Sequence, residues 1–493
     1  MTDQIANFID GEWTAPSTGE WRENVNPADT REVINEFAWS DSSDLDRAVE
    51  AAVAAQPEWV DRPAPERGSI LFEAHRLMRE RTDELARALT REEGKILPEA
   101  KGEVQKTLNV LEFIAGEGRR LNGETAPSEI DENFVYTTRT PIGVAGLITP
   151  WNFPIAIPVW KIAPALVAGN SVVMKPAEQT PTTAKLVTEI FEEAGVPKGV
   201  LNVVFGEGET VGARLARHPD IDGLSFTGST DVGLNLYETG ASDNKKVQCE
   251  MGGKNAQMVL DDADLDLAVA AASKGAFGST GQRCTATSRA VVHEDLHDEF
   301  VERLVQDAKN VQPGNGLDEE TTMGPSVDAD QLEQVLHYMQ VAEEEGATVE
   351  VGTGRLTEGE LGHGLFPAPT VLTDVDPDDT VAQEEIFGPV LSVIEVGSFE
   401  EALEVTNNSS YGLTSAIYTR DVSRVFDYVD EAETGILHVN NPTIGGEGHL
   451  PFGGIKNTGV GEREQGKTAV DFYTETKTVY IDYSDDIRGG NLF

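Results

Sequence analysis

Basic residues and cysteines are scarce in this 493-residue chain: 38 Lys and Arg face 86 Asp and Glu, a formal net charge of −48, and only two cysteines occur. A surface this negative repels phosphate backbones and anionic headgroups, and no Lys/Arg cluster offsets it, so neither nucleic acid nor a membrane surface is expected as a partner. Cys249 and Cys284 are too few for a disulfide framework and suit a reducing compartment, which predicts a cytoplasmic protein. Long apolar runs are missing too. Stretches such as 142–148 are broken by glycine and fall far short of the ~20 residues that span a bilayer. The start carries Asp3, Gln4, Asn7 and Asp10 where a signal peptide needs a basic end and an apolar core. What remains is ample for a globular enzyme: 39% hydrophobic residues spread along a length that predicts about two to four domains.

Helical spacing over 44–55 and 66–88 makes the first hundred residues read as largely helical. From about Val135, short β-rich runs (144–148, 171–174, 201–204, 223–226, 247–249, 256–260) alternate with helical segments (157–168, 183–195, 211–217, 234–240). That alternation predicts βαβ units and a parallel sheet covered on both faces. A second series follows, with helices over 265–277, 295–311, 327–346 and 399–407 and strands near 289–292, 391–396 and 415–418. It predicts another α/β domain, with the boundary near Gly252-Gly253. A final strand is expected over 473–483, paired with something distant or with another subunit.

Chemistry must then be sought in loops. Gly206 to Gly212 and Phe226 to Gly233 each lie between a strand and a helix, where backbone N–H groups can approach a phosphate; bare turns use glycine the same way, and the strict GxGxxG fingerprint is absent. His293-Glu-Asp-Leu-His297 matches HExxH letter for letter, but its first histidine follows a strand directly, whereas zinc binding needs both on a helix already under way. No GxSxG elbow occurs. Cys284 sits in the small polar loop Gly281-Gln-Arg-Cys284-Thr-Ala-Thr, where a thiol is either an accessible nucleophile or a structural residue. Arg283 beside it would favour the thiolate.

Pro150-Trp-Asn-Phe-Pro154, Lys175-Pro-Ala-Glu178, Phe226-Thr-Gly-Ser-Thr230, Glu250-Met-Gly-Gly-Lys254, Gly281-Gln-Arg-Cys284, Glu385-Ile-Phe-Gly-Pro389 and Pro451-Phe-Gly-Gly454 occur in this order. Together they resemble the aldehyde dehydrogenase superfamily over nearly the whole chain. The resemblance implies an α/β fold of three parts: a Rossmann-like cofactor domain (1–122 and 141–252), an α/β catalytic domain (253–452) and a small β oligomerisation arm (123–140 and 470–486). The arm would pair with a neighbour's C-terminal strand in a homodimer or homotetramer.

The resemblance also implies a mechanism. Cys284 would attack an aldehyde carbon, with Asn152 and the Cys284 N–H holding the oxyanion. Glu250 would activate the water that hydrolyses the resulting thioester, and Lys161 lies near that glutamate. For the cofactor, NAD or NADP, the matching residues are Lys175 and Glu178 at the adenosine ribose, Ser229 at the pyrophosphate and Glu385 at the nicotinamide ribose, with Trp151, Gly208, Gly212, Gly228 and Phe387 in the same cleft. Glu178 favours NAD, while Lys175 pulls toward NADP. No metal is expected in the chemistry.

Within the superfamily, Gly281 to Arg289, Cys249 to Asn255 and Gly461-Glu-Arg-Glu-Gln-Gly466 look most like members that oxidise 2-oxoglutarate semialdehyde (2,5-dioxopentanoate) in pentose or sugar-acid degradation. The loop 441–449 lacks bulky aromatics, which disfavours an apolar aldehyde. Phe153, Trp160, Arg283 and Phe452 are the candidate substrate residues, Arg283 as partner of a distal carboxylate unless it is spent in a structural ion pair. Few of the acidic residues belong to these motifs. The rest form a surface coat suited to concentrated salt, which predicts an enzyme of a salt-loving organism.

Overall fold

The computed structural model describes residues 3–352 and 354–484; residues 485–486 of the expected arm, and Met1 and Thr2, lie outside the described residues. Its largest sheet has eight strands, in the order Gly459–Val460, Lys246–Glu250, Gly223–Thr227, Val144–Ile148, Ser171–Lys175, Leu201–Val203, Asn7–Ile9 and Glu12–Thr14. The middle five are parallel. Val144–Ile148 lies at the centre, the chain winds outward through two strands on one side and returns to add two on the other, so the topological switch lies between Val144–Ile148 and Gly223–Thr227. Ligands of open α/β sheets bind beyond the carboxyl ends of strands at such a switch. Burial on both faces explains the continuous apolar sequences: all five residues of Val144–Ile148 and of Ser171–Lys175 are buried.

A seven-stranded sheet follows, in the order Thr348–Val351, Thr370–Thr373, Val390–Val396, Thr287–His293, Asn255–Val259, Thr414–Tyr418 and Ile436–Val439. Only Thr348–Val351 runs antiparallel. The four residues 251–254 carry the chain from one sheet to the other, where the Gly252-Gly253 pair stands.

Three expectations need correction. The first forty residues are largely strand: Gln4–Ile5, Trp21–Val25 and Val33–Ala38 form a sheet of their own, and Asn7–Ile9 extends the large one. These strands are two to six residues long, too short for a period to show. Trp21–Val25 pairs with the next strand, Val33–Ala38, and Asn7–Ile9 with Glu12–Thr14, while Asn7–Ile9 also meets distant Leu201–Val203, Asn7 accepting from Phe205 N at 3.0 Å and donating to Ser40 at 2.8 Å. The helix expected over 66–88 is two, Ala64–Glu80 and Thr82–Glu93. The C-terminal strand Thr474–Asp482 does pair with the 123–140 region, but within the same chain, antiparallel to Asn133–Pro141 over nine residue pairs. No helix among the described residues is long and apolar enough to cross a membrane.

Candidate active site

Much of the site hangs from strand ends. Thr149 to Asn152 follows Val144–Ile148, Gly228-Ser229 follows Gly223–Thr227, Lys175 ends its strand, and Glu250 ends Lys246–Glu250. Cys284 comes from the other sheet, three residues before Thr287–His293.

The Cys284 loop is strained and tightly held. Ser279, Thr280 and Gly281 all have positive φ (47°, 58° and 68°), costly for the first two, and a Cβ on Gly281 would lie 2.0 Å from the Gly388 carbonyl. Thr280 Oγ1 donates to Gly324 O at 2.9 Å, Gln282 Oε1 accepts from Val327 N at 2.9 Å, and Asn255 Nδ2 donates to Cys284 O at 2.8 Å. Cys284 is half-buried and free. Burial, followed by the nearby carboxylates Glu385, Glu250 and Glu464, pushes its thiol up to about 12.

That corrects the role expected of Arg283. Its guanidinium donates to Glu99 at 2.8 Å and to Ser279 Oγ at 2.7 Å, bracing the loop instead of facing the thiol. The ion pair also occupies it as a carboxylate partner.

Glu250 is buried, and its carboxyl titrates well above the ordinary range because of burial and then Glu464; Arg463, Lys161 and the Gly454 N–H oppose the shift. Glu250 Oε2 and Asn152 Oδ1 are buried with no hydrogen-bond partner among the described residues. An unpaired buried polar atom is costly, and beside a cleft it is left open to substrate or water. Lys161 is buried, donates to Ser225 Oγ at 2.8 Å and pairs with Glu464. Glu464 was not read as a site residue; its only signal was its place in 461–466. Cys249 is fully buried, its Sγ 3.5 Å from Gly233 O, which makes it a packing residue.

A second group escaped sequence reading altogether. Lys95 is buried and donates to Glu103 Oε2 and to Asn152 O, both at 2.7 Å, and its ammonium lies 4.3 Å from the Phe153 ring centroid. Glu103 Oε1 accepts from Ile155 N and Ala156 N at 2.9 and 3.1 Å, at the start of the Ala156–Ala168 helix. Glu99, on the same Leu97–Glu117 helix, accepts from Ser279 N at 2.9 Å besides pairing with Arg283. The segment 95–103 therefore holds both the Asn152 turn and the Cys284 loop. Side chains eight apart give no local motif.

For the cofactor, a cavity of about 180 Å³ is lined by Trp151, Asn152, Gly228, Ser229, Glu385 and Phe387 among others. Trp151 and Phe387 meet edge to face at 5.4 Å. Ser229 begins the Thr230–Ser242 helix without a side-chain cap, leaving its first N–H groups for an anion, and Thr227 Oγ1 is buried and unpaired among the described residues. Buried Lys175 pairs with Glu178 at 2.6 Å. A Cβ on Gly208 would stand 3.9 Å from both of their charged ends, and one on Gly212 3.8 Å from the Lys175 stem, so the turn borders this pair. Glu385 accepts from Gly253 N at 3.0 Å; burial raises it to about 7 against that bond and Lys254. These residues fit a dinucleotide: a pyrophosphate at the helix start, carboxylates for two riboses and an aromatic wall.

The carboxylates around Cys284 yield a test. Without cofactor, Glu385→Gln is expected to raise the iodoacetamide alkylation rate of Cys284 severalfold above pH 7, because removing a nearby negative charge lowers a thiol pKa. An unchanged rate-against-pH curve would refute the electrostatic account.

His293, the first histidine of the HExxH match, ends a strand and caps the Glu294–Asn310 helix, accepting from Asp295 N at 3.3 Å. His297 Nδ1 lies 3.2 Å from Asp298 and 3.4 Å from Glu395. Helix capping and surface pairing account for both.

Residues 13–479 match the aldehyde dehydrogenase family. An alpha-ketoglutarate semialdehyde dehydrogenase of Haloferax volcanii is 48% identical, over 98% of this chain and 100% of that protein. An alpha-ketoglutaric semialdehyde dehydrogenase of Bacillus subtilis is 43% identical, over 96% and 97%. The crystal structure of a betaine aldehyde dehydrogenase from Staphylococcus aureus in complex with NAD+ superposes with a TM-score of 0.96 at 35% identity, covering 99% of this chain and 97% of that one. The chain belongs to the aldehyde dehydrogenase family and is an NAD(P)-dependent oxidoreductase acting on aldehydes.

Proposed function

We propose that the enzyme oxidises 2,5-dioxopentanoate to 2-oxoglutarate, through a thioester on Cys284 that water hydrolyses. The observation that carries the chemistry is that the Glu250 and Glu385 carboxylates both lie near enough to act on the Cys284 thiol, while Asn152 lines the same cavity as Glu385. Cys284 forms the C–S bond to the aldehyde carbon, its thiol proton leaving to a base. Asn152 and the Cys284 N–H hold the oxyanion of the thiohemiacetal. When bound, the nicotinamide accepts the hydride that leaves this carbon. Glu250, as carboxylate, then takes a proton from water as it attacks the thioester, its proton affinity raised by nearby Glu464 and lowered by Lys161. Trp160 and Phe452, 5.6 Å apart, together with Phe153 enclose the aldehyde chain.

The substrate reading is supported by the names of the two similar relatives above and by the glycine-rich loop 445–448, which brings no aromatic wall. Malonate-semialdehyde and betaine-aldehyde dehydrogenases are also among the relatives, at 40% and 39% identity. The cofactor unit is taken as 1–122 with 141–252, and the catalytic unit as 253–452. We place the enzyme in the cytoplasm of a salt-loving organism, in pentose or sugar-acid degradation, as a homodimer or homotetramer. Exposed Val232, Leu234 and Tyr237 offer an apolar face for a second subunit.

Measuring kcat/KM for 2,5-dioxopentanoate, succinic semialdehyde, malonic semialdehyde and betaine aldehyde, from low to molar KCl and with light scattering in the same buffers, tests this. The highest value is expected for 2,5-dioxopentanoate, in high salt, on an oligomer. A preference for betaine aldehyde would reject the substrate, an optimum in low salt the salt adaptation, and a monomer the assembly.

A further inference from the structure

If the substrate carries a distal carboxylate, a cation must meet it, and Arg283 is held by Glu99 and Ser279. The loop 443–453 shows where to look. At its start Thr443 Oγ1 donates to the carbonyl of Thr285, the residue after Cys284, at 2.9 Å; at its end Gly453 lies against the Glu250 carboxylate, where a Cβ would come within 2.2 Å of Oε1. Between these points it crosses the Leu97–Glu117 helix, Gly448 pressed on Val110. The loop is thus a strap running from the nucleophile to the candidate base.

Midway, the Lys106 ammonium donates to Gly446 O at 2.5 Å. Lys106 stands three residues after Glu103, on the same helix face, and Glu103 grips the N–H groups just past Asn152. Its amine therefore lies against the strap, on the helix face whose Glu103 holds the Asn152 turn. No carboxylate lies within salt-bridge distance of it among the described residues, unlike Lys95, Lys161 and Lys175; Glu447 of the strap acts on it only from farther away. The strap is open here: a Cβ on Gly445 would meet nothing within 4 Å.

We propose that Lys106 is a specificity residue, the cation that receives the distal carboxylate of the aldehyde at the mouth of the site. The proposal rests on the acidic-aldehyde reading above. Half-buried between helix and strap, the ammonium can turn from the Gly446 carbonyl to a substrate carboxylate and form a charge-assisted hydrogen bond.

Comparing 5-oxopentanoate with pentanal, two five-carbon aldehydes differing in the terminal carboxylate, isolates that contact. Lys106→Gln is expected to lower kcat/KM for 5-oxopentanoate about 10- to 100-fold, the worth of one hydrogen bond to a charged group, mainly through KM, and to leave pentanal within about twofold. Lys106→Arg should retain most of the preference. Equal losses on both aldehydes would show that Lys106 only seats the strap, and no loss on either would show that it is idle; both results overturn the proposal. If the unaltered enzyme favours pentanal, the acidic-substrate reading itself falls, a failure visible before any variant is made.

Discussion

The Glu250→Gln enzyme is expected to produce about one NAD(P)H per active site in a burst and then turn over about 10²–10⁴-fold more slowly than the parent, the usual worth of a general base. Glutamine keeps the size of the side chain but takes no proton, so acylation of Cys284 proceeds and hydrolysis of the thioester stops. Rapid-mixing absorbance at 340 nm reads both phases. The burst distinguishes this result from misfolding, which would abolish both, and from a catalytically silent member of the fold, which would show neither phase even in the parent. Glu250 also sets the acid limb of the pH profile. Its pKa is raised by burial and Glu464, the working form is the carboxylate, and so steady-state rate is lost as pH falls through a value above the ordinary glutamate range. Replacing Glu464 by Gln removes a carboxylate that raises Glu250 and should move that limb to lower pH.

Asn152→Ala is the second large effect, a fall in kcat of about 10²–10³-fold, the cost of one oxyanion donor. The amide develops its bond only as the carbonyl oxygen gains charge, so kcat and kcat/KM should fall together. Asn152 also borders the cofactor cavity, so cofactor affinity, measured by fluorescence titration, should change by far less than kcat, the proposed pyrophosphate and ribose partners being other residues. Asn152 is fixed through its backbone, where Lys95 donates to its carbonyl and Glu103 holds the next two N–H groups but one; the side chain can be removed without releasing the turn. A fall of less than threefold would mean that the backbone N–H of Cys284 alone suffices.

The legible parts of this protein were those whose physics is local. Helix 265–277 was placed to the residue, and the parallel strands stood out because burial on both faces writes continuous apolar runs into the sequence. The motifs at strand ends were legible for a related reason: each is a short turn with chemistry confined to a few neighbours. The misses had other causes. The strands at 4–38 are too short to show a period, and Asn7–Ile9 joins the large sheet beside distant Leu201–Val203. The Lys95–Glu103 and Lys161–Glu464 pairs join residues 8 and 303 apart in sequence, and nothing at either end announces its partner. Arg283 shows the converse error, where adjacency to Cys284 suggested a contact that the turn of the loop prevents.

The thioester is the claim on which the rest depends, and intact-mass spectrometry of Glu250→Gln reads it directly. After mixing with cofactor and 2,5-dioxopentanoate and an acid quench, the protein should gain the mass of one 2-oxoglutaryl acyl group, mapped by digestion to the peptide containing Cys284 and absent from the Glu250→Gln/Cys284→Ala double variant. A burst of NAD(P)H with no covalent adduct, or an adduct that survives loss of Cys284, would contradict the account.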